Sequence, residues 1–336
     1  MLILGNRGVI IMNKKVSVVI PTYKRNIKYL SRAVNSVINQ TYKNIEVIVI
    51  DDSPCEYKDR SSIANYMKSI ASNKIIYYQN KNNIGASLSR NKGLELASGD
   101  YITFLDDDDE YLPEKIEKQI TFMVSTDCDM SFSNMIMYND ANKIVEIRKY
   151  KDINSLKKNE LLKYHILYHL TGTPTFMYKS EKLREIGGFK NVVIGEEFYL
   201  MLQSIIFDLK IGYLDSYDVA IHKHNDGSVS QSLNKEFGEN NIYKFKKQNY
   251  FSILSIREKM YVRFRHYAVL SFFGIRSNNF TKAFSNAALA FFVSPVDFIL
   301  ECFAYSYKIP RTKKYYSIGV AQNYEHRSTG GNNETA

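Results

Sequence analysis

Between residues 16 and 105, short β-branched runs alternate with stretches in which apolar residues recur every three or four positions. Val16-Ser-Val-Val-Ile20 is such a run, closed by Pro21, the pattern of a buried strand. Ile27, Leu30, Val34, Val37 and Ile38 follow at helical spacing and predict a helix of about a dozen residues packed on a sheet. Residues 45–50 predict a second strand, 61–71 a helix, 74–78 a strand, 86–97 a helix and 101–105 a strand. The order β-α-β-α-β-α-β predicts an α/β fold with a mostly parallel sheet, helices on both faces and right-handed crossovers. Ligands of such sheets bind beyond the carboxyl ends of the strands. Farther on, residues 128–138 predict an alternating strand and 173–178 another.

The polar clusters fall at those strand ends. Thr22-Tyr23 follows the first strand, Asp51-Asp52 the second, and Asp106-Asp107-Asp108-Asp109 the fourth. Four adjacent carboxylates repel one another unless a cation sits among them, which points to a metal; a solvated acidic turn capping the next helix is the alternative. On an extended backbone Asp106 and Asp108 project to one side and Asp107 to the other. Such a pair suits one hard cation, Mg²⁺ or Mn²⁺, shared with a phosphate-bearing substrate. Tyr23 is placed to stack on a base or to close the core, and Asp52 to accept a hydrogen bond from a base N–H. Gly85 before a helix, with Arg90 and Asn91 one turn inside, either brings a helix N-terminus and a guanidinium toward an anion or is a plain loop and helix. The loop Pro21-Thr22-Tyr23-Lys24-Arg25 excludes both the dinucleotide GxGxxG fingerprint and the triphosphate P-loop.

Taken together, VSVVIPTYKR, VIDDS and NNIGASLSRNKGLELASGDYITFLDDDDEYLPEK resemble the N-terminal half of a family 2 glycosyltransferase with the GT-A fold, over roughly residues 15–117. The resemblance implies an inverting transfer from a nucleotide-sugar donor, commonly uridine-linked, to a hydroxyl of a glycan or lipid-linked oligosaccharide in surface polysaccharide synthesis. It implies a donor site of Pro21, Tyr23, Arg25, Asp52, Arg90 and Asp107, and a metal, Mn²⁺ or Mg²⁺, on Asp106 and Asp108. Asp107 stands where the family usually has a small residue. Residues 183–189 resemble the short helix and turn before the family's catalytic base. Ile194-Gly-Glu-Glu-Phe198 resembles the family's GED segment, which makes Glu197 the base; Glu196 and Glu197 also suit a helix N-terminus. Ile221 to Ser230 resembles the family's terminal histidine segment, with His224 as a metal or diphosphate ligand and Lys223 as a counter-charge.

At 336 residues, 45% hydrophobic and 24% charged, the chain has the composition of a soluble globular protein of about two domains. The implied division is an extension over 1–14, a catalytic domain over 15–232 (a nucleotide-sugar half to 110, an acceptor half from 111), a helical region over 233–316 and a disordered tail over 317–336. Residues 1–11 are too broken to form a signal peptide, and Met12 offers a second start. Three scattered cysteines point to a reducing, cytoplasmic compartment. Of the +10 formal charge, residues 235–314 carry about +9, from fourteen Lys/Arg against five acids. That segment is helical in pattern and rich in Tyr and Phe, as expected of a surface lying on an anionic membrane at its inner face, or of a bundle packed on the catalytic domain. No nucleic-acid-binding module is recognisable. A sugar-1-phosphate nucleotidyltransferase would share the topology but needs a Gly- and Arg-rich first loop; a non-catalytic binding subunit would bind donor without turnover.

Overall fold

The computed structural model describes residues 14–70, 74–150, 153, 155–192, 194–223 and 234–303. The alternating half folds as its pattern predicts: β1 (Val16–Thr22), α1 (Ile27–Ile38), β2 (Ile45–Asp51), α2 (Arg60–Ser69), β3 (Ile75–Gln79), α3 (Ala86–Leu96) and β4 (Tyr101–Phe104). Then come β5 (Glu110–Tyr111), α4 (Lys115–Thr126), β6 (Met130–Ser133), β7 (Met135–Asn139), β8 (Ile144–Arg148), α5 (Lys158–Tyr168), β9 (Met177–Lys179), α6 (Ser180–Glu185), α7 (Glu196–Ile206), β10 (Ile211–Leu214) and β11 (Val219–Lys223). Helices α8 (Asn234–Asn249), α9 (Ile256–Arg276) and α10 (Phe280–Val293) follow.

Seven strands form one sheet in the order β10-β6-β9-β4-β1-β2-β3, parallel except for β9, which runs antiparallel between β4 and β6. Alternation along β1 sends Val16, Val18 and Ile20 to one face, against Leu30, Val34 and Val37 of α1, and Val19 to the other, with Leu94 of α3. Gly93 of α3 makes that second contact close, since a Cβ there would sit 2.3 Å from Val19. The strand order reverses between β1 and β4, so the crevice of the parallel sheet opens where Thr22, Asp51 and the Asp run end their strands. A smaller sheet, β5-β11-β7-β8, stands beside it.

Two expected strands are corrected. Residues 128–138 form two strands in two sheets, broken at Asn134. There the backbone N–H donates to Ser216 O, and the side-chain amide binds Asp215 at 2.7 Å while accepting from Tyr213 and from the Tyr150 N–H. Pro174, with no N–H to give a ladder, lies in a 3₁₀ turn over Thr173–Thr175, which leaves only Met177–Lys179 as strand. The short helix and turn expected over 183–189 are present as the end of α6 at Glu185 and the turn after it, where Gly187 and Gly188 take positive φ.

Behind the Asp run, the Lys115 side chain is buried, donating to Thr103 Oγ1 at 2.8 Å with the Tyr111 ring 3.9 Å away. Burial lowers its pKa well below the ordinary lysine value. The unfolded chain therefore binds more protons, and this group makes stability rise with pH between the lowered and the ordinary value. Lys115→Met should raise stability by about 1–3 kcal/mol near pH 6 and by clearly less near pH 9, measured by urea unfolding. An equal change at both pH values would mean that Lys115 does not titrate in the folded protein.

Candidate functional site

The acidic run is held by arginines as well as by turns. Asp106 and Asp108 are partly exposed while Asp107 and Asp109 are buried, the alternation the spacing implies. Asp107 accepts from Thr22 Oγ1 at 2.7 Å and from Arg25 Nε at 2.8 Å. Burial pushes its carboxyl up to about 7, with Arg25 pulling the other way. Arg25 also reaches Asp108 at 3.0 Å, and Arg32 donates to the Asp108 carbonyl and pairs with Glu110 at 3.2 Å. Asp109 caps no helix: its carboxylate accepts from the His222 N–H at 2.9 Å and so ties the run to β11. Burial, then its neighbours Asp108 and Asp106, raises its pKa strongly.

Asp106 meets Arg90, one turn inside α3. The guanidinium is buried and bridges two carboxylates, Asp106 Oδ1 at 2.6 Å and Glu196 Oε1 at 3.0 Å. It also lies over the Phe189 ring, 5.5 Å from its centroid. Desolvation opposes its charge, and the two acids more than restore it, so its pKa rises. Arg90 thus joins the end of β4 to the start of α7 through its two terminal nitrogens, while its Nε is buried without a hydrogen-bond partner among the described residues.

Asp52 is buried and accepts from Asn80 Nδ2 at 2.8 Å and from the Ile84 and Gly85 N–H groups at 2.9 and 2.8 Å. It shapes the loop before α3, where Gly85 takes φ +86°, which a side chain rarely adopts. Asp51 is spent on Tyr77 and the Ser53 N–H. Tyr23 is 46% exposed at the rim, so it does not close the core. Pro21 pairs with Ile50 in the β1–β2 ladder.

Glu196 and Glu197 open α7. Glu197 Oε2 lies 3.3 Å from the Thr173 N–H and 3.4 Å from its hydroxyl, at the end of the 3₁₀ turn. Desolvation, then the Glu196 charge, raises its pKa above the ordinary carboxylate value. From behind, His165 of α5 clamps α7: its Nδ1 accepts from the Leu170 N–H, and its Nε2 faces the Phe198 carbonyl at 3.0 Å. Burial lowers the His165 pKa to about 3, which keeps the ring neutral. Helix α8 presses on the same loop. A Cβ on Gly195, at φ +89°, would meet Ile242 at 2.6 Å, and one on Gly238 would meet Ile194 at 2.8 Å.

Thus Arg25, Arg90, Asp106, Asp107, Asp108 and the pair Glu196–Glu197 converge on the crevice at the ends of β1 and β4, with Asp52 in the adjoining loop and Tyr23 at the rim. His224 lies outside the described residues, as do the first thirteen residues and the expected tail. Its neighbour His222 ends at Glu110, 2.8 Å away, and stacks on Tyr138. Thr173, Arg32 and His165 were not expected from sequence; each acts across more than thirty residues of chain or through the backbone, and no local pattern signals that. No cluster of three or more His, Cys, Asp or Glu side chains suited to a metal occurs among the described residues.

Comparison with known proteins bears on the whole arrangement. Residues 17–187 match glycosyl transferase family 2. An uncharacterized glycosyltransferase of Methanocaldococcus jannaschii is 32% identical over 203 residues, 60% of this chain and 68% of that protein. The putative teichuronic acid biosynthesis glycosyltransferase TuaG of Bacillus subtilis is 36% identical over 118 residues, covering 35% of this chain and 45% of its own. Other relatives are far longer: the chain spans 19% of an uncharacterized glycosyltransferase of Rickettsia bellii. Among solved structures, S. aureus TarS 1–349 in complex with UDP-GlcNAc superposes with a TM-score of 0.53 at 19% identity, over 81% of this chain and 89% of that one, a likeness of fold.

Replacing Arg90 by Met leaves Asp106 and Glu196 facing each other without a counter-charge. A loss of about 2–3 kcal/mol is expected at pH 7, the low end for a broken buried pair because Asp106 is one-third exposed. Urea unfolding checks the loss, and parental stability in the variant would show that the guanidinium contributes no net pairing.

Proposed function

The chain belongs to glycosyl transferase family 2 and is a transferase, and from that premise we propose that it moves a sugar from a nucleoside-diphosphate donor to a hydroxyl of a surface-glycan acceptor, with inversion at the anomeric carbon. One observation carries the mechanism: Arg90 holds the exposed edge of Asp106 and the Glu196–Glu197 segment in a single crevice. A base and a donor-side carboxylate are thereby fixed relative to each other before any ligand arrives.

In this reading Glu197 takes the proton from the acceptor hydroxyl as the oxygen forms its bond to the anomeric carbon. The bond to the diphosphate breaks on the opposite face, and the diphosphate leaves with the electron pair. The raised pKa of Glu197 suits a base working near neutral pH. Tyr23 offers a ring to the base or ribose, while Asp52 and Gly85 shape the loop between β3 and α3.

The donor set fits a hard cation. Asp106 and Asp108 offer partly exposed carboxylates on one side of the turn, oxygen donors of the kind taken by Mg²⁺ or Mn²⁺, which keep waters and share phosphate oxygens. When bound, that ion would offset charge on the departing diphosphate. A uridine-linked donor is in keeping with the UDP-GlcNAc bound by TarS, and a teichoic- or teichuronic-type acceptor with the names of TuaG and of the minor teichoic acid biosynthesis protein GgaB.

Glu197→Gln should lower transfer by about 10²–10⁴-fold while leaving calorimetric binding of a UDP-sugar unchanged. Near-parental transfer by that variant would remove Glu197 from the role. Because burial raises its pKa, the acidic limb of kcat/KM should lie above the ordinary carboxylate range; a limb at or below that range would contradict the assignment. EDTA should abolish turnover and added Mn²⁺ or Mg²⁺ restore it, and full activity in EDTA would exclude the ion.

A further inference from the structure

The C-terminal helices do not all share one role. α8 is absorbed by the catalytic domain: Ile242 packs with Phe198 and Leu202 of α7, and the buried Lys246 ammonium donates to the Ile166 carbonyl at 2.9 Å. Farther along, the amphipathic rule reverses. The buried positions of α10 are Ala283, Asn286 and Ala290, spaced i, i+3, i+7, and two of them are merely small while the third is polar. They let α10 approach α9 closely: a Cβ on Gly274 would sit 2.6 Å from the Ala283 nitrogen, and Ser271 donates to the Ala283 carbonyl at 2.9 Å.

The large apolar side chains point the other way. Phe284 and Phe292 are 78% and 79% exposed, and Phe280, Leu289 and Phe291 are exposed with them. After a break at Ser294, the helix Pro295–Phe303 sets off at 119° to α10 and repeats the inversion. Val296, Ile299, Leu300 and Phe303 are exposed, whereas its acids Asp297 and Glu301 are half-buried. Asp297 accepts from the Ser294 hydroxyl at 2.6 Å, and Glu301, after burial itself, contributes to raising the Tyr261 hydroxyl's pKa. Nine exposed large apolar side chains on two short helices form a ridge, where a water-facing surface would carry charge.

We propose that this ridge docks in the interfacial layer of an anionic lipid bilayer. Charge selects that occupant. Residues 235–314 carry fourteen Lys/Arg against five acids, and Arg257 and Arg276 stand exposed at the two ends of α9, beside the ridge. A second copy would bring the same positive field to the contact, whereas an anionic leaflet complements it. Shape agrees: no single helix among the described residues is long and apolar enough to cross a membrane, and two short helices meeting at an angle suit shallow insertion of side chains about 5–10 Å into the headgroup boundary.

The full-length protein, with neither donor nor acceptor present, should co-float with vesicles of mixed phosphatidylcholine and phosphatidylglycerol and weakly or not at all with phosphatidylcholine alone. The double variant Phe284→Ser, Phe292→Ser should lose at least about tenfold in vesicle affinity with an unchanged melting temperature, both rings being exposed. Arg257→Gln and Arg276→Gln should each weaken binding by about fivefold at low salt and by less at high salt. Failure of the parent protein to bind the anionic vesicles, or parental binding by the double phenylalanine variant, overturns the proposal. So does self-association in sedimentation that the same variant abolishes while vesicles bind neither protein, which would assign the ridge to a second copy. None of these readouts depends on sugar transfer, so they stand or fall apart from the proposed reaction.

Discussion

A buried guanidinium shared by two carboxylates is the constraint on which the rest depends. Arg90 is anchored on α3, and α3 is seated on β1 by the close approach of Gly93 to Val19. From that position it can satisfy Asp106 at the end of β4 and Glu196 at the start of α7 together. Desolvating an arginine is costly, and the two acids repay it only because each is held by the backbone of a rigid element. The loop from Ile186 to Val192 is strapped to the same helix, by Asn91 on Phe189 and Ser87 on Val192. Segments about a hundred residues apart thus meet on one helix, through Ser87, Arg90 and Asn91.

The first half of the fold was legible because its signals are local. Periodicity places β1 through β4 and their helices to within about two residues, since strand and helix faces each repeat within a few positions. The same holds for the alternation in the Asp run, where Asp106 and Asp108 face outward and Asp107 inward. Around the four expected carboxylates the chain itself places positive charge, Arg25 on Asp107 and Asp108, Arg90 on Asp106 and Arg32 on Glu110.

What sequence could not disclose is long-range. Residues 128–138 carry one continuous strand-like pattern, and the break at Asn134 appears only when Ser216, Tyr213 and Asp215 arrive from eighty residues later. Thr173 looks like a turn residue until Glu197 is brought to it, and His165 like any core aromatic until α7 lies across it. The two carboxylates that Arg90 bridges, Asp106 and Glu196, lie 16 and 106 residues away along the chain, and no local pattern pairs them with it. The basic C-terminal segment was treated as one unit, although α8 and α10 bury opposite kinds of residue.

The contact of Gly195 and Ile194 with Ile242 and Gly238 has a consequence for synthesis of the chain. Translation is directional, and N-terminal units fold as they emerge. The sheet from β1 to β4 needs only the first hundred or so residues, and Arg90 can find Asp106 within them. The contacts of Ile194 and Gly195 with Gly238 and Ile242 form only after α8, some forty residues later, has left the ribosome. Until then the nascent protein holds a settled parallel sheet while the start of α7 lacks the packing that α8 brings. Completion of the crevice is thus tied to a late element whose close approach rests on one glycine on each side, Gly195 before α7 and Gly238 in α8.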